Sequence, residues 1–192
     1  GGGDFHFDCG GWSWGQTITE EDGRVLRWTL IRNLNTQNNL VSDTVQSGWG
    51  NVYSVPRVMR IRNLTLKQTP APELAGLREV CLFQIRGRRL ARNTEFFPEL
   101  SGDRGSLEVH CRWTPTKTGR TGIVLKANPD NEVRFFYDWS ASRLVLAFDR
   151  SQAGGKAHSN GLGRNAETLM DPLKELELTL YFDHSVIEAF AH

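Results

Sequence analysis

The clearest pattern of hydrophobic and polar positions lies near the end of the chain. Apolar side chains at Leu176, Leu178, Leu180 and Phe182 alternate with polar ones from Leu176 to Asp183. Such a period of two is typical of a β-strand with one buried face. Turn-forming residues interrupt the pattern, and it resumes in a second short apolar run, Val186 to Phe190. The segment therefore predicts a β-hairpin whose apolar face needs a packing partner.

Similar signals precede this hairpin. The alternation is equally regular from Leu107 to Trp113, and three shorter apolar runs follow, Ile123 to Lys126, Val133 to Tyr137 and Leu144 to Phe148, with an earlier one at Val80 to Ile85. Short strands separated by Gly-, Asn- and Pro-containing turns, with a long polar loop over residues 151–165, predict an all-β antiparallel sandwich.

The first part of the chain has a different organisation. Residues 1–31 read as strand, turn and strand, and the polar stretch 32–47 as a loop. A strand is predicted from Val58 to Leu66, and Pro70 and Pro72 end it because proline lacks a backbone donor. A short helical turn can run from Pro72 to Arg78 with its proline in the first turn. Residues 69–79 are therefore interpreted as a Pro-rich linker.

Charge and composition argue against several classes of partner. Lys plus Arg number 23 against 22 for Asp plus Glu, a net charge of +1, so we expect no nucleic-acid or membrane partner. The arginine clusters around residues 57–62 and 86–92 are interpreted as solvated strand faces and loops.

Cys9, Cys81 and Cys111 lack the close spacing of zinc ligands and are expected to be buried apolar side chains.

Four separated motifs resemble those of glycoside hydrolase family 32, the invertases, inulinases, levanases and fructosyltransferases, and they occur in the family's order. The first is the hairpin FDHSVIEAF, which is similar to V-D-H-S-V-V-E-V-F. The second, with Gly48, Trp49 and Ser54 to Arg57 and then Leu66 to Arg78, is similar to the family's GW…S-I-P-R…L-x-Q-x-P-V-x-E-L-x-x-L-R. The others are DCGGWSWGQTI followed by GRVLRW, and Asp149-Arg150-Ser151.

The resemblance implies an architecture. Residues 1–68 would be a remnant of the last blade of a β-propeller catalytic domain, 69–79 the linker, and 80–192 a C-terminal β-sandwich that ends before the family's last strand. It also implies a β-fructofuranosidase type of enzyme acting on sucrose or fructans, secreted or vacuolar, whose sandwich stabilises the catalytic domain. The resemblance also leaves open whether the chain forms a homodimer.

The catalytic residues of such an enzyme do not occur in this sequence. Family members hydrolyse fructosyl bonds with a carboxylate nucleophile and an acid about 5 to 5.5 Å apart, supplied by N-D-P, R-D-P and E-C motifs. Met170-Asp171-Pro172 and Glu79-Val80-Cys81 do not reproduce these motifs. We therefore predict no catalytic residue, no metal, no cofactor and no hydrolysis by this chain alone.

Other arrangements of reactive residues are weaker. Asp183, His184 and Ser185 are consecutive on a turn and cannot relay a proton among themselves. His184 and Glu188 would lie roughly 13 Å apart along a strand, too far to share a metal. Glu188 sits among apolar residues, either as a perturbed carboxylate or, the favoured interpretation, as one bonded to a neighbouring turn or arginine.

Tryptophans and one sequon complete the candidates. Trp12 and Trp14 could stack on a sugar, although such pairs more often fill a core. An alternative function is a stand-alone carbohydrate-binding sandwich using exposed aromatics such as Trp12, Trp14 or Trp139. Asn63-Leu64-Thr65 matches the glycosylation sequon of secreted proteins but lies in a predicted strand, which leaves its occupancy open.

Overall fold

The structure is a computed structural model, and it describes residues 13–32, 51–91, 105–114, 119–128, 131–139, 144–149, 166–170, 175–184 and 186–191. Within these residues the chain is almost entirely antiparallel β-structure with one short 3₁₀ helix. The all-β prediction is confirmed. The predicted loops at 32–47 and 151–165 lie outside the described residues, apart from Arg32, which ends a strand.

The first sheet has five strands, and it forms early in the chain. Its strands are β1 (Ser13–Thr19), β2 (Val25–Arg32), β3 (Asn51–Tyr53), β4 (Arg57–Arg62) and β5 (Thr65–Pro70). The order is β1-β2-β4-β5, and β3 pairs with the end of β2. The predicted strand, turn and strand over residues 1–31 are confirmed for β1 and β2. Leu26, Val58 and Ala71 form the small apolar cluster of this sheet.

A short connection follows β5. Pro70 is the last residue of that strand, and a 3₁₀ helix runs from Pro72 to Leu77 with proline in its first turn, as predicted. The Ala71 amide donates to the Pro56 carbonyl at 2.8 Å, which holds the connection against the entry to β4. The connection is therefore fixed to the first sheet before the chain continues into the sandwich.

The remaining strands form two further sheets. One contains β7 (Arg120–Asn128), β8 (Asn131–Asp138), β9 (Leu144–Asp149) and β10 (Ala166–Met170), in the order β10-β9-β8-β7. The other contains β6 (Ser106–Trp113), β11 (Leu176–Asp183) and β12 (Val186–Ala191), in the order β12-β11-β6.

The sandwich core lies between these two sheets. Leu176, Leu178 and Leu180 of β11 are at most 1% exposed. Leu178 and Leu180 pack against Phe135 of β8, and Leu176 packs against Trp139. The alternation seen in the sequence thus gives the hairpin the buried face that it predicted, and the four-stranded sheet is the partner that covers it.

Two predictions about individual strands are wrong, and the sequence pattern does not predict two further short strands. The predicted strand Val58 to Leu66 is two strands, because the chain reverses at Asn63 and Leu64 between β4 and β5. The predicted strand Val80 to Ile85 is not formed, since residues 78–91 pair with no other described strand. The short strands β3 and β10 carry too few residues to show a period, and the sequence did not reveal them.

Candidate functional site

The three-stranded sheet has a second face, opposite the sandwich core, and this face meets the first sheet. In β12, Ile187, Ala189 and Ala191 pack on the core side. Glu188 and Phe190 alternate with them and therefore point to the other side. Both are nevertheless buried, at 8% and 7% exposure. The second face of β12 is thus covered where this strand meets the β4–β5 hairpin.

The centre of this contact is an ion pair between the two sheets. Arg57 Nη2 donates to Glu188 Oε2 at 2.7 Å, and the two side chains are 9% and 8% exposed. The other carboxylate oxygen, Oε1, accepts the backbone N–H of Val55 at 2.6 Å. Each oxygen of Glu188 therefore has a donor from a segment more than 130 residues earlier in the chain.

An aromatic side chain completes the arrangement. The Arg57 guanidinium lies 5.4 Å from the centroid of the Phe190 ring, within the range of a cation–π contact. Phe190 in turn meets Tyr181 of β11 edge to face at 6.1 Å. We call Val55, Arg57, Glu188 and Phe190 the inter-sheet site.

The segment that delivers Arg57 is held by backbone and side-chain hydrogen bonds. Ser54 is buried, its hydroxyl oxygen accepts the Thr29 N–H at 3.0 Å, and its own N–H donates to the Thr29 carbonyl at 2.8 Å. Pro56 fixes one backbone angle just before β4 begins. The short Ser-Val-Pro-Arg sequence is therefore locked to β2, and Arg57 has little freedom to leave the site.

A second contact ties the end of the connection to the sandwich. The Arg78 guanidinium donates from Nε and Nη2 to the two oxygens of Glu108 on β6, both at 2.6 Å. This arginine holds the pKa of the Glu108 carboxyl below its usual range. Burial, reinforced by the Glu108 charge, raises the pKa of Tyr181 to about 12. At the other end of the 3₁₀ helix, Glu73 pairs at 2.5 Å with Arg24, which lies in the turn just before β2.

The chemistry of the inter-sheet site is that of a structural contact. Both oxygens of Glu188 are engaged and its charge is balanced by a buried arginine, so the carboxylate is held in place and not presented to a substrate. The favoured sequence interpretation, a carboxylate bonded to an arginine, is confirmed. Among the described residues no group of three or more His, Cys, Asp or Glu side chains could hold a metal ion.

Of the consecutive residues Asp183, His184 and Ser185, the last lies outside the described residues. Asp183 Oδ1 accepts the Ser106 hydroxyl at 2.7 Å and lies 2.8 Å from His184 Nδ1. The Ser106 hydroxyl thus bonds to the carboxylate and not to the imidazole, so these three described side chains do not have the hydrogen-bond order of a catalytic triad. The Ser106 bond, followed by that from His184, lowers the pKa of Asp183.

The other candidates have mixed outcomes. Trp12 lies outside the described residues, and of Trp14 only the backbone, paired with Leu30, is described. Trp139 is 8% exposed in the sandwich core, so its interpretation as an exposed sugar platform is wrong. Asn63 is exposed in the turn between β4 and β5, not inside a strand.

The cysteines also differ from one another. Cys9 lies outside the described residues. Cys81 is exposed, contrary to the prediction, because the segment around it pairs with no described strand. Cys111 is half-buried on β6, and burial raises the pKa of its thiol.

Arg57 is the residue that sequence reasoning missed. The sequence pattern places it with Arg60 and Arg62 in a solvated cluster, yet Arg57 is 7% exposed, while the other two are exposed as expected. The signal was present in part, since the apolar neighbours of Glu188 indicated a buried carboxylate that needs a cation. The choice among 23 basic residues could not be made from spacing alone.

No helix in the described part of the chain is long and apolar enough to cross a membrane.

Comparison with curated protein sequences gives no match. Among solved structures, the chain is similar to a sucrose-6-phosphate hydrolase from Lactobacillus gasseri, with a TM-score of 0.68 and 17% identity over 96% of this chain and 35% of that one. It is also similar to a glycoside hydrolase family 32 protein from Bifidobacterium adolescentis, with a TM-score of 0.52 and 17% identity over 96% of this chain and 26% of that one.

These similarities establish the fold, and the chain spans about a third and a quarter of the two proteins. A sequence-family comparison establishes more, because the model "Glycosyl hydrolases family 32 C terminal" matches residues 76–192, well over half of the chain. This chain belongs to glycoside hydrolase family 32 and carries the C-terminal β-sandwich of that family.

Proposed function

We propose that this chain is the non-catalytic C-terminal portion of a family 32 glycosidase of the β-fructofuranosidase type. Its sandwich stabilises the part of the enzyme that carries the catalytic carboxylates. The observation that carries the proposal is the buried inter-sheet site, in which Glu188 of the sandwich hairpin binds both Arg57 and the Val55 amide of the first sheet.

The energetics support a stabilising role. A charge removed from water is costly unless its partner and its hydrogen bonds are in place, and losing one partner of a buried pair costs about 3 to 5 kcal/mol. The pair therefore favours one arrangement of the two sheets over others in which either charge would be buried alone. The contacts Arg78–Glu108 and Arg24–Glu73 hold the two ends of the connection in the same arrangement.

The substrate proposed for the whole enzyme is sucrose or a fructan. Membership of the family supports it, as does the name of one structural relative, a sucrose-6-phosphate hydrolase. The family's N-D-P, R-D-P and E-C motifs are not found in the 192 residues. We therefore assign hydrolysis to residues outside this chain, and we propose an extracellular or vacuolar location for the enzyme.

Thermal inactivation of the enzyme containing this chain tests the stabilising role. Glu188→Gln is expected to inactivate at a lower temperature than wild type, while KM for sucrose at low temperature stays unchanged. Glu175→Gln, on an exposed ion pair of the same sheet with Arg112 at 3.8 Å, is the matched control and is expected to behave as wild type. An unchanged inactivation temperature for Glu188→Gln, or a changed KM alone, would contradict the proposal.

A further inference from the structure

The turn between β4 and β5 has an unusual composition for its shape. Arg62 pairs with Thr65, so Asn63 and Leu64 are the only two residues of the turn. Both have positive φ, 50° and 60°. Two-residue hairpin turns with positive φ favour Asn followed by Gly. Asn63 fits this preference, and Leu64 does not.

The end of this hairpin is a strongly exposed part of the molecule. Every residue from 60 to 67 is exposed, Leu64 is 100% exposed, and Ile61 is 76% exposed. The opposite end of the hairpin holds Arg57 in the inter-sheet site, about 20 Å away along β4 at the rise of an extended strand. A bulky group attached at the turn would therefore leave the inter-sheet site untouched.

The same turn carries the sequon. Asn63-Leu64-Thr65 has the carboxamide and the hydroxyl two residues apart that asparagine-linked glycosylation requires, and it is the one Asn-x-Ser/Thr sequence among the 192 residues. The Thr65 hydroxyl donates to the backbone carbonyl oxygen of Asn63 at 3.4 Å. Asn63 and Thr65 are both exposed at this turn.

We propose, on the basis of the extracellular or vacuolar location proposed above, that Asn63 is the attachment site of an asparagine-linked glycan. In the transfer, the Asn63 carboxamide nitrogen forms a bond to the anomeric carbon of an oligosaccharide carried on a polyprenyl diphosphate. The bond from that carbon to the diphosphate breaks, the diphosphate leaves with the electron pair, and the amide loses one proton. The glycan is a bulky polar group that shields the exposed aliphatic surface of Leu64 and Ile61 from other molecules.

The test is secretion of the full chain from a yeast, followed by intact-mass and peptide-mass measurement before and after peptide N-glycosidase. Wild type and Thr65→Ser are expected to carry a mass above that of the polypeptide, which the glycosidase removes while converting Asn63 to Asp. Thr65→Ala, which keeps the turn residues, and Asn63→Asp, which tolerates positive φ as Asn does, are expected to have the polypeptide mass.

The wild-type measurement alone can overturn the proposal. Secreted wild-type chain at the polypeptide mass, with the Asn63 amide unmodified, contradicts it whatever the variants do. So does a glycan of equal mass on Thr65→Ala, because that glycan would be attached elsewhere. Circular dichroism of Thr65→Ala, expected to match wild type, separates loss of the sequon from loss of the fold.

Discussion

Removing one charge from the inter-sheet site should destabilise the chain far more than removing one from its surface. Arg57→Met removes the cation that pairs with the buried Glu188 carboxylate, and Glu188→Gln removes the anion that pairs with the buried Arg57 guanidinium. Each is expected to lower the free energy of unfolding by about 3 to 5 kcal/mol. At 2 to 4 °C per kcal/mol for a chain of this size, the melting temperature falls by roughly 6 to 20 °C.

The double variant Arg57→Met/Glu188→Gln separates the ion pair from general disruption of the site. It removes both charges and keeps a side-chain oxygen that can accept the Val55 N–H. Because no unpaired charge remains buried, its loss of stability should be smaller than the sum of the single losses by about 2 kcal/mol. Arg112→Met and Glu175→Gln form the control cycle at an exposed pair 3.8 Å apart, in which Arg112 also lies 3.7 Å from Glu177. Because these charges are exposed, each variant should change stability by less than about 1 kcal/mol.

Urea unfolding followed by tryptophan fluorescence gives these free energies. Hydrogen exchange at the Val55 amide gives a local measure, since this N–H donates directly to Glu188. Single variants at Arg57 or Glu188 that lose less than about 1 kcal/mol, or losses that add in the double variant, would show that the buried ion pair does not stabilise the contact between the sheets.

Two further predictions concern strand β11 of the sandwich. Leu180→Ala, at a side chain with 0% exposure, should lower the free energy of unfolding by about 2 to 5 kcal/mol in the same urea assay; a loss below 1 kcal/mol would contradict the core described here. The raised pKa of Tyr181, about 12 against 10, means that the folded state holds its phenol proton longer, so stability is complete below pH 10 and falls from pH 10 to 12. Tyr181→Phe should reduce this alkaline loss and remove a late step from the ultraviolet titration of tyrosinate, and an unchanged titration would contradict the assignment.

The alternating strands were the part of the fold that the sequence could predict. Leu176, Leu178 and Leu180 are buried because a period of two places them on one face, and this is a local property of eight residues. Val80 to Ile85 has an equally apolar composition but no described pairing partner, and strand preference without a partner does not make a strand. Pairing is a property of distant segments, and a local pattern does not contain it.

The candidate site shows the same limit. The apolar neighbours of Glu188 indicated a buried carboxylate, and the structure confirms that it is bonded to an arginine. Arg57 resembles Arg60 and Arg62 in its local sequence, yet β12 covers Arg57 alone among the three. Which arginine is buried depends on how the hairpin docks on the first sheet, and the short-range sequence around each arginine is silent about that docking.

If this chain is the non-catalytic portion of a family 32 glycosidase, the catalytic carboxylates are encoded elsewhere in the same gene. Mapping both ends of the transcript that encodes the chain tests this proposal. We expect a reading frame that continues upstream of Gly1 and encodes N-D-P, R-D-P and E-C motifs in that order. A frame that begins at Gly1, or continues upstream without these carboxylates, would contradict the claim that the sandwich serves a catalytic domain.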